Sequence, residues 1–130
     1  MIEWVTDRSA EDVRRGTAKG FYNAADMNRV GQGVQELLPL LRAQGYYVQP
    51  QIKTNWKAGD LPSQSQLARY LKNVRQMGAT VVADPGLPQT MAGLTYAQAN
   101  AIENTLKRTE EALPEMQAAY RPSGTFEAGA

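Results

Sequence analysis

The sequence predicts a mainly α protein built on a core of three helices. Two observations predict this class: three segments carry apolar residues at helical spacing, and each opens with a side-chain capping signal. The chain has 130 residues and 42% hydrophobic content. That length suits one domain that buries about two-thirds of its unfolded surface. We therefore expect one small helical domain over 1–130 with extended N- and C-terminal arms.

A short helix is the first predicted element. Ser9 and Asp12 form a Ser-x-x-Asp capping signal, which predicts a helix over about 10–15 before Gly16 interrupts it. Its apolar content is low, and isolated helices of this length are marginal in water. We expect it to become ordered only on contact with another surface.

The first long helix is predicted over about 24–43. Asn23 occupies the N-cap, and Asp26 lies at the third helical position, where its carboxylate meets unpaired amides. Gly45 predicts a left-handed stop, and Pro39 predicts a kink or an early end because it removes a backbone donor. The apolar stripe of this helix consists of Met27, Val30, Val34, Leu37 and Leu41.

The second long helix is predicted over about 63–77. Ser63 and Gln66 form its capping signal, and Gly78 marks its end. One face carries the apolar stripe Leu67, Tyr70, Leu71, Val74 and Met77.

The third long helix is predicted over about 95–120, with Thr95 and Gln98 as its capping pair and Pro114 as a second site for a kink or an early end. Its stripe consists of Ile102, Leu106, Thr109, Leu113, Met116 and Tyr120. Three amphipathic helices bury their stripes most simply against one another. We expect one contiguous core that includes Val30, Val34, Leu37, Leu67, Leu71, Val74, Ile102 and Leu106.

The connecting segments have extended or turn character. Residues 46–54 are extended in character, and Pro50 confines the segment to an edge because it cannot donate to a ladder. Residues 81–88 predict a short extended piece followed by a turn. The small and polar residues 123–130 predict a tail.

Composition excludes several classes of chemistry. The chain has no Cys and no His, which rules out Ser/His/Asp triads, thiol proteases, zinc fingers and disulfide scaffolds. Its formal net charge of +1 gives no field that would hold a polyanion. We expect no cofactor, no metal, no small-molecule substrate and no nucleic-acid partner. We also expect no membrane span and no signal peptide, hence synthesis in a cytosol-like compartment.

Acidic residues cluster late in the chain at Glu103, Glu110, Glu111 and Glu115. The first three share a helix face offset from the apolar stripe, and Lys107 lies four residues after Glu103. This pattern is typical of a solvated helix face supported by ion pairs. A glycosidase-like carboxylate pair is the alternative interpretation.

Basic residues form a second pattern, with Arg69, Lys72 and Arg75 at three-residue spacing. A solvated face is again the ordinary interpretation, and contact with phosphates or an acidic partner is the alternative. The glycines do not form a phosphate loop, because the required motif and a preceding strand are both missing; they are Gly16, Gly20, Gly31 and Gly33.

Four aromatic residues, Trp4, Phe21, Trp56 and Phe126, lie outside the three stripes. A tryptophan in a loop usually covers the end of a core, although aromatic residues also anchor interfaces. Both terminal segments lack a periodic apolar pattern, so we expect them to be arms that become ordered against a neighbouring subunit. The predicted interface residues are Trp4, Trp56 and Phe126.

Particular runs of the sequence add a resemblance. Residues 6–13 and 19–30 read TDRSAEDV and KGFYNAADMNRV. With further matches along nearly the whole chain, they resemble a family of small proteins and domains encoded in tail modules of bacteriophages and prophages of Gram-positive bacteria. The chain departs from that pattern at 16–18, where many relatives are longer, and at 120–124, which only loosely follows an aromatic-x-x-Ser-Gly ending. The further matches are 45–46, 53–56, 60–62, 70–71, 91–96, 99–100 and 102–103.

The resemblance implies a virion structural role in a tail, tail fibre or baseplate, without catalytic activity. The partners it implies are further copies of this chain or other phage tail proteins, and the implied location is the virion, assembled in the bacterial cytoplasm. Two alternatives stay open: a head-to-tail connector or neck protein, and a small helical regulatory or nucleic-acid-binding protein. The near-zero net charge argues against the last.

Overall fold

The computed structural model describes residues 2–79 and 84–124. Within them the chain forms four α-helices, which confirms the mainly α class: α1 (Ala10–Arg15), α2 (Ala24–Ala43), α3 (Gln64–Gly78) and α4 (Tyr96–Gly124). A single 3₁₀ turn, Ala18–Gly20, lies between α1 and α2. The predicted bounds of α1 and α2 are confirmed, α3 is displaced by one residue, and α4 extends four residues past its predicted end.

The capping signals determine where the helices begin. At each start, the N-cap side chain accepts from the backbone of the third helical residue, whose own side chain accepts from the N-cap backbone. The N-cap residues are Ser9, Asn23, Ser63 and Thr95. At the end of α2, Gly45 has a φ of 90°, and the Tyr46 amide donates to the Leu41 carbonyl at 3.0 Å. This is a Schellman ending, which confirms Gly45 as the left-handed stop.

The core lies between α2, α3 and α4, each of which contacts the other two. Its buried members form one cluster that includes every residue of the predicted core except Leu67, which is partly buried and packs against it. Trp4, Val48, Ile52 and Met91 also pack against the cluster from outside the three helices. The side chains of Met116 and Tyr120 lie outside the described part of the chain.

Pro39 and Pro114 predict a kink or an early end of their helices. The prediction of early ends was wrong. α2 continues for four residues after Pro39, and α4 continues for ten residues after Pro114. Both prolines are exposed. An exposed proline costs the core no packing, so the tertiary contacts of each helix can outweigh its missing donor.

Residues 46–54 connect α2 to α3 without regular secondary structure, and the described residues contain no strand, so the expected place at a sheet edge was wrong. Side chains of the helices, instead of a neighbouring strand, form the hydrogen bonds to the backbone of this segment. Asn73 of α3 accepts from the Gln51 amide at 3.1 Å and donates to the Gln51 carbonyl at 2.7 Å. Asn28 of α2 binds both backbone groups of Trp56 in the same way, at 2.7 and 2.8 Å. Of the predicted 81–88 piece, residues 81–83 lie outside the described part.

The N-terminal segment through Phe21 was not expected to close on the three-helix core. Its first part, residues 2–9, which we call the N-terminal arm, packs against α2 and α4, so the expectation was wrong there. The Trp4 ring packs so closely on α2 that a Cβ at Gly33 would overlap it, and Trp4 Nε1 donates to Glu110 of α4 at 3.1 Å. Asn100 of α4 pairs with both backbone groups of Arg8, at 3.0 and 2.9 Å. The predicted C-terminal arm from residue 122 is helical as far as Gly124.

Candidate functional site

Four charged side chains meet in the interior, where the N-terminal arm joins α2 and α4. Arg8 belongs to the arm, Asp26 and Arg29 to the first two turns of α2, and Glu103 to α4. The Arg8 and Glu103 side chains are 1% and 0% exposed. The two arginines balance the two carboxylates, as burial of charge requires. We call this set the charge cluster.

Glu103 lies at the centre of the charge cluster. Its Oε2 accepts from Arg8 Nη2 at 2.5 Å and from Arg29 Nη2 at 2.7 Å, and its Oε1 accepts from Arg29 Nε at 2.7 Å. Oε1 also accepts from the Val5 amide at 2.9 Å. Arg29 therefore binds the carboxylate through two N–H groups, the strongest geometry for such a pair. These hydrogen bonds to Glu103 are the main reason that the pKa of Arg29 is raised.

Asp26 has two functions at once. Its Oδ2 accepts from the Asn23 amide at 2.8 Å and so completes the cap of α2. Its Oδ1 accepts from Arg8 Nη2 at 3.1 Å and also from Arg29. The helix start and the charge cluster therefore share one carboxylate.

Two tyrosines lie beside the charge cluster. The Arg8 guanidinium lies 5.3 Å from the centre of the Tyr22 ring, and Tyr22 meets Tyr70 of α3 edge-on with ring centres 6.4 Å apart. Their hydroxyls are hydrogen-bonded to each other. Removal from water raises the pKa of both hydroxyls above the ordinary tyrosine value. Both side chains are therefore neutral near pH 7.

The interpretation of Glu103 as part of a solvated face was wrong, because this side chain is fully buried against Arg8 and Arg29. Glu111 is exposed, as predicted, and Glu110 is partly buried by its bond to Trp4. The carboxylates of the charge cluster are occupied by arginines of the same chain. The ion pairs of the charge cluster therefore connect the N-terminal arm, α2 and α4.

A polar groove runs between the extended segment 49–56 and α3. It consists of two adjoining cavities of about 210 and about 270 Å³ that share Gln51, Arg69 and Asn73. The walls carry three cations, Lys53, Arg69 and Lys72. The other lining residues are Gln49, Gln66, Ala68, Gln76, Tyr70, Ile52, Trp56, Val30, Gly31 and Val34.

Only two of the three residues of the predicted basic stripe line the groove. Arg69 and Lys72 are exposed and line the groove, and neither forms an ion pair with a described residue. Arg75 is partly buried and donates instead to the Pro88 carbonyl. Lys53, which the sequence did not single out, adds a third cation and lies 4.8 Å from the centre of the Trp56 ring.

The predicted interface residues lie in different environments. Trp56 is 7% exposed and belongs to the core of this chain. Trp4 is partly buried against α2, and Phe126 lies outside the described residues. An interface role for these three residues stays a prediction.

Other large apolar side chains are exposed. Three of them lie at the end of α2, namely Leu40 in its last turn and Tyr46 and Tyr47 just after it. We call these three residues the α2-end surface. Tyr47 is 79% exposed, and Leu61, before the start of α3, is 94% exposed. Sequence reasoning missed these residues, although the tyrosine pair directly after the stop at Gly45 could have indicated them. A further cavity of about 600 Å³, lined mainly by apolar atoms, lies between α3 and residues 89–92.

Residues 2–79 and 84–124 contain neither a metal-ligand cluster nor a membrane-spanning helix. No group of three or more metal-ligating side chains of the Asp, Glu, His or Cys type comes together there. No helix there is both long enough and apolar enough to cross a membrane.

Comparison with known protein families, with curated proteins and with solved structures finds no match for this chain.

Proposed function

We propose that this protein is a structural component of a bacteriophage tail, tail fibre or baseplate, and that it acts through protein–protein assembly surfaces. The observation that carries the proposal is the α2-end surface, where Leu40, Tyr46 and Tyr47 are exposed although the core does not need them there. Tyrosine and other aromatic residues are enriched at interfaces, because they bury a large area at low cost in conformational entropy.

The α2-end surface is attached to a rigid part of the fold. Tyr46 is held by its backbone bond to Leu41, a fully buried core residue. Tyr47 follows it directly, so both tyrosines start from a backbone position fixed by the core. A contact residue on such a support loses less freedom on binding than one on a mobile loop.

The sequence resemblance to phage tail modules supports the same proposal from a different direction. Residues 6–13 and 19–30, which carry that resemblance, contain three of the four residues of the charge cluster, namely Arg8, Asp26 and Arg29. The two sequence segments that carry the resemblance therefore also supply buried residues to the interior of this fold. The surfaces around this interior remain for contacts with other subunits.

A mass-spectrometric inventory of purified particles tests the proposal. Phage particles are purified from a lysate of the strain that encodes this chain, and the chain is quantified against the major tail protein. We expect a fixed copy number that fits a ring or a fibre, as closed symmetric assemblies require. Presence in the lysate but absence from the particles would overturn the proposal.

A further inference from the structure

We propose that the polar groove between segment 49–56 and α3 is a binding site for an acidic polypeptide segment of a partner protein. The groove contains Lys53, Arg69 and Lys72, and no carboxylate stands among its described lining residues. Complementary charge is what steers and orients such a partner.

The two helix cations are available to a ligand. Arg69 and Lys72 are separated by one helical turn, so their side chains start on the same side of α3. Both are exposed, and neither is neutralised by a described carboxylate. An arginine with free N–H groups binds a carboxylate through two parallel hydrogen bonds, and a lysine one turn away adds a point charge.

The opposite wall is fixed in place. Asn73 holds both backbone groups of Gln51, and Asn28 holds both backbone groups of Trp56. Lys53, between these two anchors, donates to Asn55 and stacks over Trp56. The cation of this wall is therefore held by a braced backbone, which lowers the entropy lost on binding.

The arrangement of the two cavities suits side chains of a peptide. The cavities, of about 210 and about 270 Å³, lie side by side on α3 and adjoin through three shared residues. In an extended peptide, every second side chain points to the same face, so successive side chains of one face can enter adjoining cavities.

Two residues that line the groove each have a polar atom without a partner. Trp56 Nε1 and Gln76 Oε1 are buried and have no hydrogen-bond partner among the described residues. A peptide presents both donors and acceptors along its backbone. A nucleic acid is the less suitable ligand, because the net charge is only +1 and the ring of Tyr70 is buried against Tyr22.

The identity of the partner as a tail protein rests on the proposed function, but the binding chemistry does not. The test therefore uses the purified full chain and defined probes: fluorescein-labelled hexaglutamate, hexaglutamine of the same length, and a twelve-nucleotide oligothymidine. Binding is measured by fluorescence anisotropy at low and at physiological ionic strength. The groove variant carries R69Q and K72Q, and the matched control carries R14Q and R15Q, two exposed cations of α1 with the same change in net charge.

We expect hexaglutamate to bind and hexaglutamine not to bind. The groove variant should weaken the affinity for hexaglutamate by at least about tenfold, and the control by less than about twofold. Amide NMR signals of 49–53 and 66–76 should shift on binding. Equal weakening in both variants would overturn the proposal, as would tighter binding of the oligothymidine that is lost in the groove variant.

Failure of this test is distinguishable from failure of the proposed function. A chain that is found in particles but does not bind hexaglutamate contradicts the groove proposal alone. A chain that binds hexaglutamate through Arg69 and Lys72 but is absent from particles contradicts the tail role alone.

Discussion

At the scale of single residues, the molecule depends on a few side chains whose partners are far away in the sequence. Glu103 and Arg8 are 95 residues apart, and both are buried. No local pattern reveals such a pair: Glu103 lies beside the apolar stripe of its helix at nearly the same offset as Glu110, which is only partly buried. Sequence reasoning could therefore identify the acidic residues but could not identify which of them is internal.

Removal of the negative charge at Glu103 should destabilise the protein strongly. The variant E103Q keeps the shape of the side chain but leaves Arg8 and Arg29 with only Asp26 as a carboxylate partner. Breaking a buried ion pair from one side costs about 3 to 5 kcal/mol. Urea unfolding measures this loss.

The matched control for that change is E111Q on the same helix, because Glu111 is exposed. It should change the free energy of unfolding by less than about 0.5 kcal/mol. Equal losses in E103Q and E111Q would mean that the charge cluster does not support the fold.

At the scale of elements, the helix boundaries were predictable and the extended segments were not. A capping box or a Schellman stop is a local signal, and α1 and α2 have the predicted bounds. The composition of 46–54 indicates an extended segment at a sheet edge. Its backbone is instead paired by Asn28 and Asn73, and the spacing of a helical asparagine does not reveal which distant backbone it will bind.

Asn73 binds both backbone groups of Gln51, and we call this pair of hydrogen bonds the Asn73 clamp. The clamp should control local opening of the segment 46–54. The variant N73A removes the acceptor of the Gln51 amide and the donor to the Gln51 carbonyl. Loss of such a bond to a partly buried group costs about 1 to 3 kcal/mol. Hydrogen exchange at the Gln51 backbone amide should therefore become about 5- to 150-fold faster.

The control for this clamp is Q32A, which changes an exposed amide side chain on α2. It should leave exchange at Gln51 unaltered. If N73A leaves it unaltered too, the clamp is not what holds the segment.

Close approach of this segment to α2 also explains a glycine inside a helix. A Cβ at Gly31 would lie 2.5 Å from the Lys53 carbonyl oxygen, a backbone atom. Gly to Ala in a helix normally stabilises it by about 1 kcal/mol. For G31A we expect the opposite sign, a loss of about 1 to 3 kcal/mol from overpacking. Thermal unfolding measures the sign, and a raised melting temperature would contradict the close approach.

At the scale of the whole molecule, the arm and the three helices form one interior. The three-helix core was predictable because each stripe is a local pattern, and most of the predicted core residues are buried. Burial of the N-terminal arm was not predictable, because it depends on Trp4 fitting against Gly33 and on Arg8 reaching Glu103. Burial of the arm also leaves Trp4 partly covered by this chain itself, and an interface role for it stays a prediction.

The proposed function assigns assembly to the exposed apolar residues at the end of α2. The decisive measurement is a competition during phage growth, in which tagged wild-type and variant chains are expressed together. Quantitative mass spectrometry then compares the ratio of the two chains in purified particles with their ratio in the lysate. The variant carries L40S and Y47S, both at exposed positions. The control carries Q32S and Q35S, exposed on the same helix.

We predict that the L40S/Y47S chain is depleted from particles by at least about tenfold, because hot-spot side chains contribute about 2 kcal/mol or more to an interface. The Q32S/Q35S chain should enter particles at the wild-type ratio, and both variants should unfold within about 0.5 kcal/mol of wild type. Entry of the folded L40S/Y47S chain at the wild-type ratio would contradict the claim.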